Sequence, residues 1–181
     1  MALLNNSTRY GSLSIALHWL MVVLFIAVYA LIELRGYWPK GHPTREGMKS
    51  LHFMFGLSIF FLVWLRLAAR ALGGTPRIEP ALSVWQRRLS GAVHGLLYLL
   101  MIGMPIGGWL ILSTAGKPIP FFGLELPALT GPDAALSKQI KSLHETVGTV
   151  GYWLIGLHAV AGIYHHYFVR DNTLLRILPR R

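Results

Sequence analysis

Histidine is the residue type in this sequence with the clearest capacity for chemistry. The chain of 181 residues contains eight histidines and no cysteine, which excludes disulfides, thiolate metal sites, iron–sulfur clusters and thiol nucleophiles. Five of the histidines lie inside long apolar stretches, where a coordinating or ionisable side chain is costly and is a functional candidate by default. These five are His18, His52, His94, His144 and His158.

The spacing of His144 and His158 gives the strongest argument. They are 14 residues apart, so on one helix they share a face and are separated by about 21 Å along the axis. One helix thus offers a ligand to each of two layers. The same face carries Gly148, Gly151 and Gly162, and such small residues leave room for a flat macrocycle against the backbone.

Four apolar stretches must position these histidines, and each is long enough to cross about 30 Å of hydrocarbon. They cover residues 13–34, 51–72, 89–112 and 143–169. Hydrophobic residues make up 54% of the chain and charged residues only 13%, a composition that excludes an ordinary soluble enzyme. The predicted fold class is an all-α integral membrane protein, an up-down bundle of four transmembrane helices in a single domain over residues 1–181.

Proline and glycine indicate loops between the four spans. In the last loop, Asp133 precedes residues 134–143, a pattern that predicts a capped short helix lying along the membrane surface. Pro105, followed by Gly107 and Gly108, predicts a kink or a loosened turn in the third helix.

The net charge of +10 invites a nucleic-acid partner, but basic residues at the ends of apolar segments more simply report membrane orientation. Sorted by side, the cations and acids give +8 on the side of both termini, counting Arg180 and Arg181, and +2 on the other side. The sequence therefore predicts membrane lipid and no nucleic acid as partner, with both termini cytoplasmic.

This topology sorts the histidines by depth. His52 and His144 begin their helices on the outer side, whereas His18 and His158 lie at similar depth on the inner side. Two layers, each with a pair of histidines from different helices, match bis-histidine haem ligation, in which the iron moves electrons and does not bind oxygen. His94 is the rival ligand for the inner layer, and spacing favours His18 over it only slightly.

Two other kinds of histidine site are alternatives. A zinc site gathers three or four ligands close together, whereas these histidines form separate pairs. A haem-free transporter would relay protons through its histidines, normally with buried carboxylates, and the acidic residues here lie at span ends or in loops.

Several short runs resemble the bacterial cytochrome b(561) family, with a match from about Tyr10 to Arg180. The runs are SIALHWL at 14–20, LHET at 143–146, GLHA at 156–159, and HHYF at 165–168 followed by DNTLLR at 171–176. The resemblance implies a multi-pass protein of the bacterial inner membrane, a bundle enclosing two haem b groups. It implies His18 with His158 on the inner haem, His52 with His144 on the outer haem, and no ligand on the third helix.

Within that family the sequence is similar to small di-haem members that act as superoxide:ubiquinone oxidoreductases. The resemblance implies that superoxide is oxidised to oxygen on the periplasmic side and that ubiquinone is reduced to ubiquinol. Cations of the outer loops would steer the superoxide anion. They are Arg35, Lys40, Lys49, Lys117, Lys138 and Lys141. The alternative is a non-enzymatic electron carrier or membrane-anchor cytochrome b subunit that links quinol to a partner dehydrogenase.

A quinone site needs an apolar slot, a polar group at its head and a proton source. His165, one heptad after His158, is predicted near the inner edge on the same face, and Ser14 is a second candidate for this pocket. Arg66 and Arg70, four residues apart on the second helix, either neutralise haem propionates or snorkel to the inner surface.

Overall fold

The computed structural model describes residues 2–179, so Met1, Arg180 and Arg181 lie outside it. Within these residues the chain forms four long helices that are long and apolar enough to cross a membrane. They are α1 (Ser12–Leu34), α2 (Pro43–Gly73), α3 (Val84–Thr114) and α4 (Ala134–Tyr164). A 3-10 turn, Arg35–Tyr37, follows α1, and a π-helical turn, His165–Val169, follows α4. The predicted class, an all-α protein with four membrane-spanning helices, is confirmed.

Two helices start earlier than hydropathy predicts. The apolar pattern begins at residues 51 and 89, but α2 begins at Pro43 and α3 at Val84. Proline is favoured in a first turn because its missing N–H needs no partner there. Before α3, the Ser83 N–H donates to Gln86 Oε1 at 3.0 Å and the Gln86 N–H donates to Ser83 Oγ at 3.3 Å. This reciprocal pair is a capping box, so polar residues extend both helices beyond their apolar stretches.

The start of α4 corrects one expectation. Residues 134–143 do not form a separate helix along the membrane surface; they are the first turns of α4, which runs unbroken to Tyr164. Asp133 does cap it, since its Oδ1 accepts the N–H groups of Ala135 and Leu136, each at 3.0 Å. No glycine or proline lies between Ala134 and Gly148 to end the helix. Likewise, α3 continues through Pro105.

A small β-hairpin, which the sequence did not predict, lies between α3 and α4. Strands β1 (Ile119–Phe121) and β2 (Leu124–Leu126) pair antiparallel. Phe122 and Gly123 form the turn with φ of 47° and 86°, the positive values that a tight hairpin turn requires. Ile119 is 2% exposed and packs in a core cluster with Leu57 of α2 and Leu112 of α3.

The chain divides into two compact units, each with part of every long helix. The terminal unit comprises the residues up to Leu20, Leu62–Leu100 and the residues from Val150 onward. The hairpin unit comprises Met21–Phe61 and Met101–Thr149.

The terminal unit is tied together by both chain ends. The Asn5 side chain donates to the Gly74 carbonyl at 2.8 Å and accepts the Gly11 N–H at 3.0 Å. A Cβ atom at Gly11 would lie 2.3 Å from the Leu3 carbonyl oxygen, so this close approach requires glycine. Near the other end, the Trp19 indole N–H donates to the Ile177 carbonyl at 2.9 Å.

Candidate functional site

In the terminal unit, the structure brings together the predicted inner pair. His18 of α1 and His158 of α4 are both partly buried, and their ring centroids are 6.4 Å apart with an interplanar angle of 76°. The alternating direction of the four helices predicted that these two residues lie at similar depth, and the contact between their rings agrees with that prediction.

In the hairpin unit, His52 of α2 and His144 of α4 form the second pair, with ring centroids 6.5 Å apart and an interplanar angle of 71°. His52 Nδ1 lies 2.9 Å from the Val28 carbonyl oxygen. Because a carbonyl only accepts, Nδ1 carries the proton and Nε2 keeps a lone pair, which is the usual arrangement of a metal-binding histidine. His144 Nδ1 is buried and has no hydrogen-bond partner within residues 2–179.

His94 of α3 also lies against His158, with ring centroids 5.3 Å apart. Its Nδ1 lies 2.6 Å from the Ser90 carbonyl oxygen of its own helix, so the ring is held by an internal hydrogen bond. The structure therefore places both candidates for the inner layer, His18 and His94, beside His158.

Donor chemistry and spacing fit a haem at each of the two pairs. An imidazole nitrogen binds a first-row metal at about 2.0–2.1 Å, so two imidazoles on opposite sides of one ion have ring centroids about 6–6.5 Å apart. The distances of 6.4 and 6.5 Å match this geometry, and the 5.3 Å between His94 and His158 is too short for it. Among the described residues, no group of three or more histidines or carboxylates is arranged to hold a metal ion.

Arg66 provides an independent feature of the terminal unit. Its Nη1 is buried and lacks a hydrogen-bond partner in the described part of the chain. A buried cationic nitrogen is costly unless an anionic group meets it, so Arg66 fits a haem propionate. Arg70 is exposed.

Glycines leave room for the His144 ring. A Cβ atom at Gly107 would lie 3.3 Å from His144 Nδ1, and one at Gly108 would lie 3.7 Å from His144 Cε1. Sequence reasoning assigned these two glycines to a loosening of α3 and missed this contact. On α4, the Gly148 carbonyl accepts the Tyr29 hydroxyl at 2.9 Å.

His165 has a partner that the sequence reasoning missed. Its Nδ1–H donates to Asp171 Oδ2 at 2.6 Å, and Asp171 is only 3% exposed. Burial raises the pKa of the Asp171 carboxyl, but hydrogen bonds from His165 and Thr173 outweigh burial and hold that pKa below its ordinary value. Ser14 of α1 is partly buried and makes no hydrogen bond with His165 in the part of the chain described.

The six predicted steering cations fall into two groups. Lys49 pairs with Glu46 at 2.5 Å and Lys141 with Glu145 at 3.5 Å. Arg35 donates from Nε to the Ile32 carbonyl at 3.1 Å. The remaining three are exposed and make no ion pair within residues 2–179. They are Lys40, Lys117 and Lys138.

Comparison with known proteins agrees with this architecture. The sequence profile of the family described as Prokaryotic cytochrome b561 matches residues 9–180. Cytochrome b561 homolog 1 of Escherichia coli (strain K12) is 35% identical over 173 residues, covering 96% of this chain and 98% of that protein. A Yersinia pestis protein named Probable superoxide oxidase CybB is 36% identical over 173 residues, covering 96% and 97%.

A third relative, Cytochrome b562 of Cereibacter sphaeroides, is 27% identical over 180 residues, covering 95% of this chain and 96% of that protein. The family profile and the first two relatives cover nearly the whole chain, and the family implies membrane electron transfer with b-type haem. This chain, a multi-pass membrane protein, belongs to the prokaryotic cytochrome b561 family.

Proposed function

We propose that this protein is a di-haem superoxide:ubiquinone oxidoreductase of the bacterial inner membrane, with both termini in the cytoplasm. The observation that carries the proposal is the presence of two separate histidine pairs, whose centroid distances of 6.4 and 6.5 Å suit two imidazoles that together would hold one haem. Two such pairs, one in each unit, support electron transfer through two haems.

His18 and His158 would hold one haem b, and His52 and His144 the other. When bound there, each haem would supply reversible one-electron transfer. The Val28 carbonyl fixes the tautomer of His52 and leaves its Nε2 as ligand. Arg66 would neutralise a haem propionate through its unpartnered Nη1. Arg70, which is exposed, would contribute a second positive charge near the propionates.

The net reaction balances in electrons and protons. Two superoxide anions each give up one electron and leave as oxygen. Ubiquinone takes up these two electrons and two protons to become ubiquinol. No side chain is proposed as a nucleophile; the chain's residues bind the redox groups, attract the anion and, at His165, supply a proton.

Support for superoxide as the donor comes from two directions. A relative that covers nearly the whole chain is named a probable superoxide oxidase. The hairpin unit exposes Lys40, Lys117 and Lys138 without ion-pair partners among the described residues, and unpaired cations raise the local concentration of a small anion.

Replacing these three lysines together by glutamine tests the steering role. We expect the second-order rate of haem reduction by superoxide to fall about 10-fold at low ionic strength and to lose most of its salt dependence, because steering accelerates association by about 10-fold or more. Pulse radiolysis at several salt concentrations measures this rate. The matched control is Lys49→Gln with Glu46→Gln, which removes a paired cation together with its anion and leaves the net charge unchanged; an equal loss in the control would contradict steering by the three lysines.

The proposed function is tested with the purified protein in detergent. A pyridine haemochrome assay should find two b-type haems per chain, and fewer would overturn the di-haem assignment. A steady superoxide source should then reduce the haems, and a water-soluble ubiquinone should reoxidise them and accumulate as ubiquinol. Haems that superoxide leaves oxidised, but that ubiquinol reduces, would instead support the electron-carrier alternative, with which the plain cytochrome name of the Cereibacter sphaeroides relative agrees.

A further inference from the structure

The contact between His165 and Asp171 is built by the chain just after α4. Arg170 adopts the left-handed conformation, with φ of 59°, which turns the backbone so that the Asp171 N–H donates to the His165 carbonyl at 3.2 Å. The same turn places Asp171 Oδ2 within 2.6 Å of His165 Nδ1. A non-glycine residue in this conformation is uncommon and is maintained by the surrounding contacts.

Both carboxylate oxygens of Asp171 are engaged. Oδ1 accepts the Thr173 N–H at 2.8 Å, while Oδ2 accepts from His165, whose side chain keeps 19% of its surface accessible. The Asp171 side chain itself has no accessible surface. The carboxylate is thus enclosed, whereas the imidazole that it holds keeps part of its surface accessible.

The charged and titratable groups around this pair come from several segments. Arg176, which is 5% exposed, acts electrostatically on Asp171 and donates from Nη1 to the Pro76 carbonyl. The Arg176 guanidinium also lies over the Tyr10 ring, 5.6 Å from its centroid. The Tyr164 ring contacts the His165 ring at a centroid distance of 6.2 Å. This setting keeps Asp171 ionised and therefore able only to accept.

We propose that Asp171 is the positioning residue of the quinone site: it holds His165 in the tautomer with the proton on Nδ1, so that Nε2 exchanges a proton with the quinone head group. The inference rests on the proposed reduction of ubiquinone. One of the two protons taken up by the quinone passes from Nε2–H of the imidazolium to a quinone oxygen. The neutral imidazole then takes a proton from the aqueous phase, which also supplies the second proton of the quinone. Asp171 stays ionised and stabilises the imidazolium, as the aspartate of a hydrolase triad does.

Asp171→Asn tests the positioning role without changing the fold. The amide has the shape of the carboxylate, but its NH₂ group donates to Nδ1 and so favours the His165 tautomer with the proton on Nε2. We expect the maximal rate of quinone reduction to fall about 100-fold, in the range that a positioned acid or base contributes, while KM for quinone changes less than about twofold and the haem spectrum is kept. Asp171→Glu should recover part of the rate because it restores a carboxylate acceptor.

The matched control is Asn172→Ala at the next position in the chain. It removes the hydrogen bond of 3.0 Å from the Glu79 N–H to the Asn172 side chain and leaves His165 and Asp171 unchanged. A loss in this control equal to that of Asp171→Asn, or an unchanged maximal rate in Asp171→Asn, would overturn the proposal.

A second measurement tests the role of Asp171 independently of whether superoxide is the electron donor. Anaerobic stopped-flow reoxidation of dithionite-reduced haems by ubiquinone uses the same site without superoxide. If superoxide is not the donor, ubiquinone should still reoxidise the wild-type haems, and Asp171→Asn should still slow that reoxidation about 100-fold. Failure of ubiquinone to reoxidise the wild-type haems would overturn the role of Asp171 in quinone chemistry.

Discussion

Replacing His144 by alanine is expected to remove the haem of the hairpin unit and leave the other one in place. Haem content per chain should fall by half because, of the two residues proposed to hold this haem, only His52 would remain. Pyridine haemochrome assay measures the content, and a redox titration shows whether one of the two transitions has disappeared. Superoxide-driven quinone reduction should fall to the uncatalysed rate because the electron path is interrupted.

The reciprocal variant, His158→Ala, should remove the transition that His144→Ala keeps. His94→Ala is the matched control within the terminal unit, since its ring lies only 5.3 Å from that of His158, which is too close for both imidazoles to bind one iron. It should retain both haems. Haem loss in His94→Ala together with full retention in His18→Ala would reassign the ligand to α3.

Pairing of the histidines was accessible from the sequence because it depends on two regular quantities. Helix periodicity places His144 and His158 on one face, and alternating helix direction places each beside a histidine of another helix at the same depth. Neither quantity depends on loop detail. The choice between His18 and His94 was different: both lie beside His158 in the structure, and only the centroid distances separate them.

Helix ends were less predictable, because hydropathy reports which residues suit hydrocarbon and not where a helix stops. The first turns of α2 and α4 include several charged and polar residues, so the continuous apolar pattern begins well after Pro43 and Ala134. The caps at Ser83 and Asp133 carried the missing information. For α4 the cap was recognised, but the polar residues after it were assigned to a separate helix.

Contacts made by irregular backbone were not predictable. The partner of His165 depends on one left-handed residue, Arg170, and no periodic pattern indicates that conformation. The hairpin strands have three residues each, too few to show the alternation by which strands are recognised. Charge counting by side also did not reveal that Lys49 and Lys141 are already paired.

Gly107→Val is expected to prevent haem binding by His52 and His144, although Gly107 lies on α3, which carries no proposed haem ligand. A Cβ atom at this position would lie 3.3 Å from His144 Nδ1, and valine adds two methyl groups to that atom, so the His144 ring must leave the position that it holds beside His52. The variant should lose the same haem and the same redox transition as His144→Ala. Gly107→Ala, which requires a shift of only a few tenths of an ångström, should keep the haem.

Gly47→Val is the matched control, because Gly47 is also a helical glycine of the hairpin unit, and a Cβ atom there has no neighbour within 4 Å. It carries the same change in helix propensity without contact at the histidine, so both haems should remain. If Gly107→Val keeps both transitions unshifted, the His144 ring has room that the structure does not indicate. If it instead loses the haem of His18 and His158, the assignment of ligands to the two units is wrong.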